Sequence, residues 1–464
     1  MAVETDYHCL GVNSSALGWG TGYEDKKFTT GSMEFYGYMQ SDSMSYENFR
    51  NMFGLIRGQV SKRAFSQEES RAIGQGALRV ANAGVRGEMD MSYLNFSFQA
   101  PKFGGIAISV VDSYRMGAKI NTSNAEVLFQ GDWTDVLDSV SFAKDGDTST
   151  IEYRSDIGSD TLQDIYALHL TSPLNFNDLT NGSSFNMAWN RYYNIGYGRK
   201  LFGKDSLFIL YGGIGARYIQ SVAQIDFLSD ENGSYLMTSL PERYSEQESS
   251  AAGVNPFNFS SVGGFFPTPV GYGYGLDFSA SAILFKKFKV AAAVNNVGSV
   301  TYKQKVYEGN EAKTQILEVD GLDPTNFEND IRELFSTDQL ITLKEEREIV
   351  VPNAAVFRVG GSFKPIRHIE VSAEYIAPFS NANNLSLDNS VFAAGLELRP
   401  VKWLAITGGF WGGGVYKGQI PLGINFILRD GAYEFGFSSR DIYQFVESKS
   451  NSVSMAFGFA RVRF

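Results

Sequence analysis

The 464 residues are 43% apolar and 14% aromatic, with 48 Gly, 12 Pro, a single Cys and a formal net charge of -11. So acidic a chain lacks the basic footprint that nucleic acid requires, and the lone Cys9 excludes a disulfide framework and is too isolated for a metal site. Mean hydropathy is -0.16, and no apolar stretch reaches the roughly 18 residues that a membrane helix needs.

In chain order, Met1 is followed by AVETD, with neither a basic n-region nor an apolar h-region. An exported protein of this sequence would therefore already have lost its signal peptide. Residues 1–26 do not alternate; CLGVNSSALGWGTGYED is Gly-rich and turn-like, yet carries Leu10, Val12, Leu17 and Trp19. Disordered tails are usually polar, so this segment reads as a plug folded into a lumen, and residues 27–464 as one continuous unit. Period-two alternation marks strands. Tyr272, Tyr274, Leu276, Phe278, Ala280, Ala282 and Leu284 form one face, opposite Gly273, Gly275, Asp277, Ser279 and Ser281. Ile369, Val371, Ala373 and Tyr375 repeat the pattern, as do Ile420, Leu422, Ile424, Phe426 and Leu428. Several such stretches exceed the five or six residues of an average soluble strand, reaching the length of about ten that a tilted membrane strand needs. Strands are expected near 27–40, 86–100, 105–118, 184–199, 206–225, 270–285, 288–305, 352–363, 368–378, 390–399, 402–411, 419–428, 432–440 and 452–464, fourteen in all. A hairpin around 160–175 would raise the count to sixteen.

The connections between strands differ by side. PKFGG, KLFGKD, FKKFK, KPIRH, RPVK and RDGA are short and mostly basic. They alternate with connections such as 41–85, 119–183, 226–269 and 306–351, which are long. Short turns on one side and long loops on the other are the asymmetry of outer-membrane barrels. The expected fold class is therefore all-β, a transmembrane antiparallel β-barrel with an amino-terminal plug and short helices in its extracellular loops. One helix is expected at 321–335, where Asp323 caps, Pro324 opens, and Phe327, Ile331, Leu334 and Phe335 form a stripe. Another is expected at 46–57, carrying Phe49, Met52, Phe53 and Ile56, with a Ser66–Glu69 capping box beyond it. Such stripes either lid the barrel mouth or offer an apolar landing groove.

The last strand ends on Phe464. Val453, Met455, Phe457 and Phe459 are expected on one face, with Ala456, Gly458, Ala460, Val462 and Phe464 on the other. A water-filled porin would place polar groups along one of these sets, so the strand points to a plugged, largely dry interior.

LGVNSSALGWG (10–20), GYGYGLDFSASAIL (271–284), NNVGSVTYK (295–303), KWLAITGGFWGGG (402–414), IPLGINF (420–426) and YEFGFSSRDIYQF (433–445) are scattered over most of the chain. With fourteen strands, a plug and surface helices, the text resembles the FadL-type superfamily of hydrophobic-compound transporters. It is more similar still to Bacteroidota outer-membrane proteins of that type. The resemblance implies location in the bacterial outer membrane, contact with membrane lipid and lipopolysaccharide, and passive uptake of hydrophobic or amphiphilic small molecules. That family's plug typically carries Asn-Pro, whereas Ser14 follows Asn13 here, which weakens any transfer of plug mechanism.

Catalysis is not expected. His8, His169 and His368 fall in the plug, a loop and a turn; there is no GxSxG elbow, and a strand rather than a helix follows GYGYG. No cofactor or metal is implied: acidic stretches such as 345–348 read as solvated faces rather than calcium sites. In the transport reading Leu10, Asn13, Ser14 and Trp19 belong to the gate, and Phe49, Phe53, Phe327 and Ile331 collect ligand. The alternative is a non-transporting barrel that partners or anchors other outer-membrane proteins or lipoproteins in a secretion or surface-lipoprotein complex. The aromatic run VNPFNFSSVGGFFPTP in the 226–269 loop suits it.

Overall fold

The computed structural model describes residues 4–23, 25–43, 78–100, 102–122, 139–144, 147–152, 165–169, 174–175, 180–204, 207–241, 267–303, 306–309, 316–317, 344–379, 387, 389–414, 416–442 and 452–464. Among the described residues the main sheet has nineteen strands, five of them short pieces (Gly233–Ser239, Val306–Gly309, Lys344–Glu346, Ile349–Pro352 and Tyr416–Gln419), and fourteen close the barrel: β1 Phe28–Ser41, β2 Val85–Ala100, β3 Gly104–Lys119, β4 Ser184–Lys204, β5 Phe208–Asp230, β6 Gly271–Leu284 and β7 Phe288–Tyr302 in the first half. The second half holds β8 Val356–Ile366, β9 Ile369–Pro378, β10 Val391–Val401, β11 Leu404–Gly413, β12 Leu422–Leu428, β13 Tyr433–Ser439 and β14 Ser452–Arg463. Each pairs antiparallel with the next, and β14 returns to β1 through Thr29 opposite Arg463 and Gln40 opposite Ser452. The ring of fourteen therefore closes on itself without an open edge, which is what a spanning sheet in hydrocarbon requires.

The alternation sorts the two faces. Phe278 of β6 and Ile214 of β5 pair across the ladder, point outward and are 53% and 58% exposed. Their neighbours Asp277 and Ser281 are buried on the inside. Aromatic side chains ring the short-turn end: Phe28 stacks on Phe464 at 5.5 Å, Phe288 on Phe363 at 4.3 Å, and Phe426 on Phe435 at 4.9 Å. This is the aromatic girdle of a membrane-spanning barrel.

The structure departs from the expected strands in four ways. The 160–175 region adds no strands to the barrel: Ile165–His169 pairs with Ser139–Lys144, which also pairs with Asp147–Glu152, in a separate small sheet. The strand expected from 419 begins at Leu422, and Tyr416–Gln419 pairs separately with β11; Pro421, which has no N–H to give a ladder, separates the two. The β4–β5 hairpin carries its pairing out to Lys204 and Phe208, so KLFGKD is mostly strand rather than turn.

The fourth departure is in β14, whose two faces exchange along its length. Val453 and Met455 are exposed and Ser452 and Ser454 buried; nearer the end Val462 and Phe464 are exposed and Arg463 is buried. Between Gly458 and Arg461 the strand carries one residue more than β13, because Glu434 faces Arg461 and Gly436 faces Gly458. A bulge of this kind shifts every later side chain to the opposite face. At the same level β1 places Met33 at φ 56°, and β2 carries one residue more than β3 at Tyr93. Three adjacent strands are thus irregular at one height.

Candidate functional site

Residues 4–23 lie against the inward faces of the strands. Two short 3-10 helices, Asp6–Cys9 and Ser14–Trp19, carry the segment across the wall formed by β2 to β6. Asn13, Ser14, Ala16, Leu17 and Cys9 are fully buried, and Leu10 and Trp19 pack on that cluster. The backbone N–H of Ser15 donates to Ser279 Oγ at 2.9 Å, and Trp19 Nε1 to Ser281 Oγ at 3.0 Å. Gln99 Nε2 donates to the Leu17 carbonyl at 3.0 Å. The polar face of β6 read from the sequence thus receives the segment. The wall is also bare where the segment touches it: a Cβ at Gly213 would overlap the Ser15 backbone. Of the residues expected in a gate, Leu10, Asn13, Ser14 and Trp19 therefore sit together. Phe49, Phe53, Phe327 and Ile331 lie outside the described residues, as do both expected loop helices.

The first 3-10 helix sits in a charged cluster on the β1, β13 and β14 side. Tyr7 Oη donates to Glu34 Oε1 at 2.6 Å, and His8 reaches Asp6 Oδ1 and Glu34 Oε2, each at 3.1 Å. Arg461 pairs with Glu434 at 2.8 Å, and the buried Arg463 spans Glu434 at 2.5 Å and Asp6 at 3.2 Å. Burial opposes ionisation of Asp6, but Arg461, His8 and Arg463 outweigh it and hold the carboxyl well below its usual range. Burial and Arg461 oppose protonation of His8, yet its bonds to Asp6 and Glu34 prevail and raise it. Burial pushes the Cys9 thiol up, so it stays protonated. Sequence reading placed His8 in the plug but missed this cluster, because Glu34, Glu434, Arg461 and Arg463 come from β1, β13 and β14, and only the fold brings those strands together beside Asp6 and His8.

Two cavities flank the segment. One, of about 460 Å3, lies at the irregular level of the wall. It is lined by inward-pointing Glu34, Glu434 and Arg461, by Gly423, Gly436 and Gly458, and by Phe35, Phe437 and Phe457, whose register is outward. The other, about 390 Å3, is a chamber in the lumen with Gly11 on its lining. Arg86, Arg115, Arg217, Arg358 and Arg440 line it, with Asn190, Asn295 and Asn353. This overturns the largely dry interior expected from β14. That strand is atypical because its polar positions, Ser452, Ser454, Arg461 and Arg463, fall on opposite parities either side of its bulge.

A closed antiparallel sheet, apolar outside and polar within, defines a membrane-spanning β-barrel of the outer-membrane type. Residues 92–408 match a family of unknown function, DUF5723, and the chain belongs to that family. No curated protein matches the sequence. Among solved structures the chain is similar to a TodX deltaS2S3 mutant described as a monoaromatic hydrocarbon channel. Identity is 9% over 98% of this chain and 93% of that one, with a TM-score of 0.44. It is similar to the Pseudomonas putida toluene transporter TodX at 8% identity over 100% and 94% of the two chains, TM-score 0.39. A Pseudomonas aeruginosa FadL homologue matches at 8% over 100% and 93%, TM-score 0.37.

Proposed function

We propose that the protein is an outer-membrane channel for passive uptake of hydrophobic or amphiphilic small molecules, with residues 4–23 as its plug and no catalytic role. The observation that carries this reading is the wall cavity: residues of outward, lipid-side register and inward polar residues line the same space, beside His8 of the plug. A molecule seated there meets apolar and polar surface together, as an amphiphile requires. The irregular pairing of β14, β1 and β2 supports it, because a wall with interrupted ladder bonds opens more readily than a regular one. Leu10, Asn13, Ser14 and Trp19 are the proposed gating contacts.

The test is uptake of radiolabelled decanol by cells displaying the barrel. At Gly458, which lines the cavity, the atoms nearest an added Cβ are those of Glu34, at ordinary contact distance, so the backbone accepts a side chain there and a bulky one is directed at the cavity. Gly458→Phe is expected to reduce decanol uptake to that of cells lacking the protein while the barrel still folds. Wild-type cells no faster than such controls would sink the reading.

A further inference from the structure

The lumenal chamber is built differently from the wall cavity. Its volume of about 390 Å3 lies within the usual range for small-molecule sites, ~300–1,000 Å3. Among the described residues its lining holds five arginines and one carboxylate, Glu88. Behind the lining, Asp90 holds Arg115 through two bonds of 2.8 and 3.0 Å, and Glu374 holds Arg358 Nη1 at 3.1 Å. These carboxylates orient two guanidiniums. Among the described residues Arg358 Nε has no acceptor, nor does Arg217 Nε, and Asp277 approaches Arg217 only to 3.7 Å.

Asn295 adds an independent observation. It is 2% exposed and lines the chamber, yet among the described residues neither its Oδ1 nor its Nδ2 has a partner. The same is true of Oδ1 of Asn190 and of Asn296, both on the same lining. Buried polar groups are as a rule hydrogen-bonded, so a set of donors and acceptors gathered around one cavity describes the ligand that suits it. An apolar chain would strip water from these groups and return no hydrogen bond. A cation would meet the guanidiniums. An oxyanion accepts charge-assisted bonds from arginine, and hydroxyl groups both donate to and accept from amides.

We propose that the chamber binds a compact polar organic anion, one carboxylate or phosphate group on a hydroxyl-bearing body. The site and its ligand class are distinct from those of the wall cavity, and the proposal does not depend on decanol uptake. The experiment is calorimetric titration of the intact barrel, in an uncharged polyoxyethylene detergent, with glucuronate, glucose 6-phosphate and glucose. At least one anion is expected to bind saturably, about tenfold or more tighter than glucose, and to weaken as sodium chloride is raised. Glucuronate alone would assign a carboxylate site and glucose 6-phosphate alone a phosphate site. The paired variant R358Q/E374Q removes a guanidinium without stranding a buried charge, and N295L removes the amide. Each is expected to weaken the anion by about tenfold, the scale of one lost charge-assisted or buried hydrogen bond, while retaining the heat-modifiable gel mobility of a folded barrel. Absence of saturable anion binding, equal binding of glucose, or wild-type affinity in both folded variants would overturn the proposal. Decanol uptake measured in parallel separates the two readings: anion binding without uptake removes the channel proposal alone, and uptake without anion binding removes this one alone.

Discussion

His8 stands between two carboxylates, Asp6 and Glu34, with the guanidinium of Arg461 against its ring and Glu434 and Arg463 beyond. Its pKa is raised, so its contribution to seating the segment is complete below the unperturbed value of about 6.5 and is lost as pH climbs through the raised value. Asp6 behaves oppositely: its pKa is depressed, so its contribution is present above the ordinary carboxylate value and is lost only in strong acid. Together they make residues 4–23 most firmly held in mildly acidic solution. Protection of the amides of this segment, meaning the intrinsic exchange rate at a given pH divided by the observed one, is expected to be greater at about pH 6 than at about pH 9, and His8→Gln should abolish the difference; equal protection in the wild type at both values would refute it. None of these pairings was legible in the sequence. The individual residues are ordinary, and what joins Asp6 to Arg463 is a strand that begins more than four hundred residues later.

At the scale of elements, the seat of residues 10–18 depends on glycines in β3, β4 and β5, where a Cβ would run into Leu10, Ser14, Ser15 or Leu17. Gly213 is the most informative of them, since a side chain there would occupy the space of the Ser14–Ser15 backbone while leaving the β5 ladder intact. Gly213→Val is therefore expected to displace the segment without unfolding the sheet. Cys9, the sole cysteine and fully buried, reports on this directly. It should resist maleimide–polyethylene glycol in the wild type and react in the variant, and an unreactive Cys9 in a folded variant would disprove the seat. The strands themselves were legible: period-two alternation located all fourteen, with boundaries mostly within three residues of those found. Two of the four departures arose where periodicity is interrupted by geometry, at Pro421 and at the β14 bulge. An inserted residue in a bulge looks like any other residue in the chain, so the exchange of faces, and with it the polar lumen, escaped a reading that assumed unbroken alternation.

For the whole molecule, lipid takes the place of a hydrophobic core, and the apolar residues that a soluble protein would hide are displayed. A charge placed on that belt is costly in proportion to depth. Ile214→Arg, directly beside Phe278 on the outward face, is expected to lower stability by about 2–4 kcal/mol near the bilayer midplane. Urea titration in phosphatidylcholine vesicles measures this, and a neutral effect would mean that protein rather than lipid covers the position. The closed arrangement itself followed from the sequence, through the even number of strands and the two unlike sets of connections. The joining of β1 to β14, where the Phe464 carbonyl accepts from the Phe28 amide at 2.9 Å and the Phe464 amide returns a bond to the Phe28 carbonyl at 3.1 Å, carries a kinetic corollary. Until that seam zips, any partly inserted chain presents two bare rims to hydrocarbon, and the final register must be set by residues at opposite extremes of the polypeptide. Assembly therefore has no useful halfway product, and insertion should proceed slowly and all at once.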